Sequence, residues 1–150
     1  MEKTISEAYR ISGNATKATA YLSLANQRKH ALLHYCWSAE KNFFFDYDFV
    51  TQQQKDFFSL AGVFPLFFQL ATPNQALRVA ELLESQFLKN GGFSTTLINT
   101  GQQWDAPNGW APLQWVTYVG LKNYGFDDLA REGKRRWFNI INKVYRATGK

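Results

Sequence analysis

The feature that most constrains this chain is a helical pattern that repeats. Segments that read as the inner, buried member of a helix pair begin near residues 4, 58 and 111, and each is followed across a short turn by an amphipathic partner. A recurrence of roughly 53 residues is the mark of one hairpin unit used three times, each unit covering its neighbour's apolar surface. The sequence echoes at the unit ends support it: "AYRISGN" at 8–14 resembles "VYRATGK" at 144–150, and "NYGFDDLA" at 123–130 fills the same turn role. The pattern predicts an all-α chain of about three hairpins.

The local signals fix the expected elements. In the first pair, Thr4 and Glu7 read as a capping box for a helix over 4–12, which Gly13 ends. Asn14 caps a helix over 15–37, whose apolar positions Ala18, Tyr21, Leu22, Ala25, Leu32, Leu33 and Cys36 keep a spacing of three and four. In the second pair, 58–71 ("FSLAGVFPLFFQLA") is apolar all round and is expected to be buried on most sides, with a kink or restart at Pro65. After the Thr72-Pro73 turn, 74–89 places Ala76, Ala80, Leu83 and Phe87 on one face, and Gly91-Gly92 stops it. In the third pair, Pro112 suits the first turn of a helix over 112–124, with Trp115 in the core. Gly125 breaks that helix and Asp127 caps another over 128–147, where Trp137, Ile140, Ile141, Val144 and Tyr145 oppose Arg131, Lys134 and Arg135.

The connections are unequal. Turns within pairs are short, at 13–14, 72–73 and 125–126, whereas the connections between pairs, 38–57 and 90–111, are long. Long loops in compact domains usually carry function, and a scaffold that sends them all to one end places its site there. The first long loop alternates Phe43, Phe45 and Tyr47 with Phe44, Asp46 and Asp48, which predicts a short hairpin. The second runs into "QQWDAPNGWAPLQW" at 102–115, too rigid for a linker and too broken for a helix.

Composition narrows the chemistry. A length of 150 residues fits one domain with a real core, and 45% hydrophobic against 19% charged residues excludes disorder. Thirteen Phe, seven Tyr and five Trp exceed what such a core requires, so some are expected to line a cleft. The net charge of +5 reads as a mildly basic surface: the longest basic run, Lys134-Arg135-Arg136, lies in a helical pattern as a solvated face, and no nucleic-acid partner is expected. One cysteine, Cys36, excludes an intrachain disulfide and reads as packing. No apolar run can span a bilayer and "MEKTISEAYR" is not a signal peptide, so no membrane partner is expected, while cytoplasmic and periplasmic or secreted locations, and the oligomeric state, stay open. His30 and His34 share a helix face but lack a third ligand and the intervening Glu of H-E-x-x-H, so no metal is expected. No nucleophile elbow and no glycine-rich phosphate loop is present, and no cofactor is expected.

What remains is carboxylates among aromatics: Asp46, Asp48 and Asp105 in long loops flanked by Phe, Tyr and Trp. Sugar sites use such groups, the carboxylates for hydroxyls or acid–base work and flat rings for the apolar face of a pyranose. On the residues alone a second reading stands beside it, in which Asp46 and Asp48 cap turns and Trp104 and Trp110 plug the end of the core. A hairpin scaffold for binding protein or nucleic acid is less well supported, because it needs aromatic or charged stripes on the helices and here the aromatics gather in loops.

"QWDAPNGWAP" at 103–112 resembles the second signature of the trehalases, glycoside hydrolases that split α,α-trehalose into two glucoses. The match runs through ten residues and includes Trp104, Pro107 and Trp110. The surroundings are similar too: a tryptophan, the acidic "DYD" loop, "FPLFF", and "GG" before a Thr-rich stretch occur in the same order. The resemblance implies an α/α toroid of six helix hairpins, of which this chain would supply about three, as a single partial domain incomplete at both ends. It implies hydrolysis with inversion by one carboxylic acid and one carboxylate spaced to admit a water. It places neither catalytic group on a residue of this chain, so the alternative expectation is a truncated, catalytically inactive trehalase-like fragment or a sugar-binding module. It implies that Trp104 lines the glucose pocket and that Gln103, Asp105, Asn108 and Trp110 contact the sugar or fix the loop, with trehalose or glucose as the ligand. By the same resemblance Asp105, a tempting acid, is a support.

Overall fold

The computed structural model describes residues 1–149, in two compact units, Met1–Cys36 and Trp37–Lys150. The first is a helical hairpin of α1 (Glu2–Ile11) and α2 (Ala15–Cys36). Gly13 makes the turn at φ +80°, a conformation that only glycine adopts freely, and the Asn14 side chain accepts from the Lys17 N–H at 3.1 Å as the expected cap. α1 starts two residues earlier than the sequence suggests. Glu2 favours the positive end of a helix and its carboxylate takes the Arg28 guanidinium, so the helix forms upstream of Thr4, which caps nothing, and Glu7 pairs with Arg10 instead. The two helices meet where Ala18 is small and buried: the Ser6 hydroxyl donates to the Ala18 carbonyl at 2.7 Å, and Tyr9 stacks on Tyr21. Leu22 is exposed rather than part of that contact.

The second unit opens with two short hairpins, β1 (Trp37–Ser38) with β2 (Phe43–Phe44) and β3 (Tyr47–Asp48) with β4 (Gln53–Gln54). A 3₁₀ turn at Leu60–Val63 leads into α3 (Phe64–Phe67), then α4 (Pro73–Leu82), which a π-turn at Leu83–Phe87 extends. A third hairpin, β5 (Leu88–Lys89) with β6 (Gly92–Phe93), precedes α5 (Ala111–Asn123) and α6 (Asp127–Thr148). The first and third predicted helix pairs are present; in the second, α4 begins with a full capping box between Thr72 and Gln75 but gives way to the π-turn and β5 before residue 89.

The middle inner helix is the main departure. The stretch expected to be one helix over 58–71 is a single 3₁₀ turn and a single α turn. Gly62 packs so closely on the Phe43 ring and the Phe44 carbonyl that a side chain there would overlap both, and Gln69 at φ +55° turns the chain out. Leu60, Val63 and Leu66 are buried, but Phe64 and Phe68 are exposed and stack on each other. α5 holds this short element: Gly120 admits Leu66 and Phe67 closely, the Asn123 amide donates to the Phe67 carbonyl at 2.9 Å and the Tyr124 hydroxyl to the Ala71 carbonyl at 2.8 Å.

The aromatic run at 43–45 also differs from its predicted alternation. Phe43, Phe44 and Phe45 are all buried, and Phe43 sits in a ring cluster with Phe45, Phe58 and Phe87. These rings are core, not cleft. Trp115 differs the other way. Gln114, Tyr118 and Leu121 form the buried face of α5 at helical spacing, which turns Trp115 outward, 65% exposed. In α6, Asp127 is the first helical residue rather than a cap, and Ile140, Ile141, Val144 and Tyr145 are exposed.

Asp48 closes the β3–β4 turn. Its Oδ1 accepts from the Val50 and Thr51 N–H groups at 2.9 and 3.2 Å, and Lys55 Nζ approaches Oδ2 at 2.8 Å. The Lys55 ammonium, together with those two amides, pulls the carboxyl down to about 2. Because the folded value lies below the ordinary one, the stabilisation is present above the ordinary carboxylate range and is lost as pH falls toward 2. Amide exchange at Val50 and Thr51 should therefore be slow at neutral pH, after correction for intrinsic rates, and lose its protection between about pH 4 and 2. Unchanged protection at pH 2 would show that Asp48 does not hold the turn.

Candidate functional site

The two long connections, between α2 and α3 and between α4 and α5, are tied together. Ser59 and Thr96 form an isolated antiparallel bridge, the Leu60 N–H donates to the Thr95 carbonyl at 2.8 Å, and the Leu97 N–H to the Phe58 carbonyl at 3.3 Å. The Thr95 N–H in turn donates to the Asn108 carbonyl at 2.9 Å. The tryptophan-rich loop is thus anchored on a strand-like segment that is itself anchored on residues 58–60, which enter the 3₁₀ turn.

Within the loop the backbone closes on itself. The Asp105 N–H donates to the Gln102 carbonyl at 3.1 Å, the Asn108 N–H to the Asp105 carbonyl at 2.8 Å, and the Asn108 amide to the Gln103 carbonyl at 3.0 Å. The Ala106–Pro107 peptide is cis. Asp105 is only 3% exposed and points inward. Its Oδ2 accepts from the Thr100 hydroxyl and, at 3.1 Å, from the Thr100 N–H, with the Thr96 hydroxyl 3.4 Å from Oδ1. The Thr100 hydroxyl is the largest cause that lowers the Asp105 carboxyl below its usual range. A carboxylate held ionised among donors has no proton to give, so the geometry suits a brace and not a general acid.

The other motif side chains face out. Gln103, Trp104, Asn108 and Trp110 are exposed, Trp104 by 58% and Trp110 by 56%. Neither tryptophan plugs the core. The loop presents two open indole faces on a backbone fixed from below. Asp46 is exposed in the β2–β3 connection, and its carbonyl accepts from the Lys55 N–H at 2.8 Å, while Asp48 serves its own turn. Neither is brought into the hydrogen-bonded core of the tryptophan loop. His30 and His34 lie one turn apart on α2, with the His34 ring edge-on to Tyr35.

Sequence reasoning missed the support beneath the loop. Thr96 and Thr100 brace Asp105, and Gln114 is buried at the centre of the α5 core face. The available signal was a glutamine inside the apolar run "PLQWVTYVGL", since a buried amide must find partners for both of its ends. Gly109 lies against the Trp137 ring, Gln114 and the Phe93 carbonyl with no room for a side chain.

A family model described as Trehalase matches residues 1–150. The chain belongs to the trehalase family. It is 40% identical over 145 residues to the periplasmic trehalases of Salmonella paratyphi A and Salmonella dublin, covering 97% of this chain and 25% of those proteins. The chain thus spans a quarter of the length of these curated trehalase relatives. Among solved structures it is similar to neutral trehalase from Saccharomyces cerevisiae, with a TM-score of 0.89 at 23% identity over 99% of this chain and 30% of that one. It is also similar to a GH63 mannosylglycerate hydrolase from Thermus thermophilus in complex with glucose, with a TM-score of 0.68 at 22% identity over 90% of this chain and 33% of that one. These likenesses give the trehalase-family chain its fold class, the all-α helical hairpins of the α/α toroid enzymes.

Proposed function

We propose that this chain forms part of the glucose-binding wall of an α,α-trehalase, a glycosidase that hydrolyses trehalose to two glucoses by inversion. The observation that carries this reading is the loop at 103–112: it has the trehalase motif, Asp105 braces it from inside, and Trp104 and Trp110 stand open on its outer face. An indole face is suited to the C–H face of a glucose ring, and Gln103 and Asn108 supply amides for hydroxyls at its edge. The general acid and base belong to family positions that no residue of this chain matches, so the three hairpins contribute binding and not the two catalytic carboxyls. On this reading they are one partial toroid domain. In the periplasmic relatives the activity resides in chains about four times as long, which supports that division.

The test is a titration of the 150-residue chain, labelled with 5-fluorotryptophan, against trehalose and glucose, with glucose release assayed in parallel. The expected result is a sugar-dependent movement of the Trp104 resonance and no release of glucose. A Trp104 resonance indifferent to both sugars would overturn the binding role, and glucose release by this chain alone would overturn the placement of both carboxyls.

A further inference from the structure

Gln114 is a buried amide on the core face of α5, and the sugar reading leaves it without a role. Its Nε2 donates to the Phe93 carbonyl, while its Oε1 accepts from the Phe93 N–H and from the Tyr118 hydroxyl, each at 3.1 Å. One side chain thus engages both backbone groups of a single β6 residue, as a neighbouring strand would. The same amide lies beneath the tryptophan loop. A Cβ added at Gly109 would fall 3.1 Å from Gln114 Nε2, 3.1 Å from the Phe93 carbonyl oxygen and 2.8 Å from the Trp137 ring. The backbone between Asn108 and Trp110 therefore rests directly on the Gln114–Phe93 pair. Two residues beyond Phe93, the Thr95 N–H holds the Asn108 carbonyl, so the pair supports the loop by two routes.

We infer that Gln114 is a positioning residue for the sugar-facing loop: by pairing with both backbone groups of Phe93 and by supporting Gly109, it fixes where the indoles of Trp104 and Trp110 stand. The ligand in this statement rests on the trehalase reading, but the loop geometry does not. An apolar residue of similar volume fills the space but leaves the Phe93 N–H and C=O buried and unpaired, so β6 and the loop above it must move to find other partners. A loop that is no longer held must be ordered on binding, at a cost in affinity.

The experiment uses the 150-residue chain carrying 5-fluorotryptophan, with Gln114→Met and Gln114→Glu, and trehalose as the probe. Met matches the amide in size and offers neither donor nor acceptor. The expected result is wild-type helix content, displaced Trp104 and Trp110 resonances, an unmoved Trp37 resonance, and trehalose affinity lower by about tenfold. Glu is the sharper variant. A protonated carboxyl has one donor and one acceptor and can replace the amide, whereas a carboxylate faces the Phe93 carbonyl with no proton between them. Burial raises the pKa of such a group. The Trp110 resonance and the trehalose affinity should therefore return toward wild type as pH falls through that raised value, with the wild-type chain as the control at each pH. The titratable group in contact, Tyr118, is pushed up by burial and stays neutral throughout. Unmoved tryptophan resonances in the Met variant, or no recovery in the Glu variant at low pH, would overturn the inference. If Met costs the fold, the Glu pH profile decides alone. Displaced resonances in a chain whose wild type ignores trehalose would uphold the positioning role and refute the sugar reading.

Discussion

Replacing Phe93 with alanine should lower the melting temperature of the unit that begins at Trp37 by about 12–20 °C, the consequence of losing about 3–5 kcal/mol from a fully buried ring. Phe93 is 1% exposed, its ring lies near Tyr118 and directly over Gly133 of α6, and its backbone is held by Gln114. One substitution thus removes the ring that packs β6 on both α5 and α6, while the Gln114 bonds to the Phe93 backbone remain. The same contact predicts a result that runs against propensity. Alanine is favoured over glycine inside a helix by about 1 kcal/mol, so Gly133→Ala on a free helix would stabilise. Here the added methyl overlaps the Phe93 ring, and the variant should be destabilised by about 1–3 kcal/mol. Combining Gly133→Ala with Phe93→Leu should cost less than the sum of the two singles, because the smaller side chain gives the methyl room. Strict additivity in thermal melts would show that Gly133 is required for some other reason.

On the proposed sugar-binding role, Trp104→Ala should raise the dissociation constant for trehalose by roughly 30-fold, equivalent to about 2 kcal/mol for an aromatic anchor. Trp104→Phe should lose less, since a smaller ring still offers a flat face. Neither should change stability by more than about 0.5 kcal/mol, because the side chain is more than half exposed. The two readouts separate binding from packing. A melting temperature that falls as it does for Phe93→Ala, or an affinity that does not change, would remove Trp104 from the sugar-binding wall.

Most of the helical frame was legible because its signals are local. The three-and-four spacing of α2 and α4, the Asn14 cap, and the glycines at 13 and 125 that turn the chain at positive φ act within a few residues of themselves. The α1 start was misplaced because Arg28, distant in sequence, holds Glu2. The geometry of the candidate loop was legible in part. The ten-residue motif marked the loop, and its tryptophans and Asp105 were singled out, but whether each side chain faces in or out was not written there. Asp105 turns inward because Thr96 and Thr100 arrive from the preceding stretch to meet it, and Trp104 and Trp110 face outward on the loop that this fixes.

The sequence by itself determined the hairpin order, the unequal connections and the family to which the loop belongs, because periodicity, turn chemistry and a contiguous motif are carried by neighbouring residues. Only the tertiary structure decided which apolar and polar residues are core. It buried three consecutive phenylalanines at 43–45, cut the inner helix at 60–67 to two turns against Gly62 and Gly120, exposed Trp115, and placed the Gln114 amide under Gly109. Burial is set by what packs against a side chain, and at each of the buried positions that partner comes from another part of the sequence.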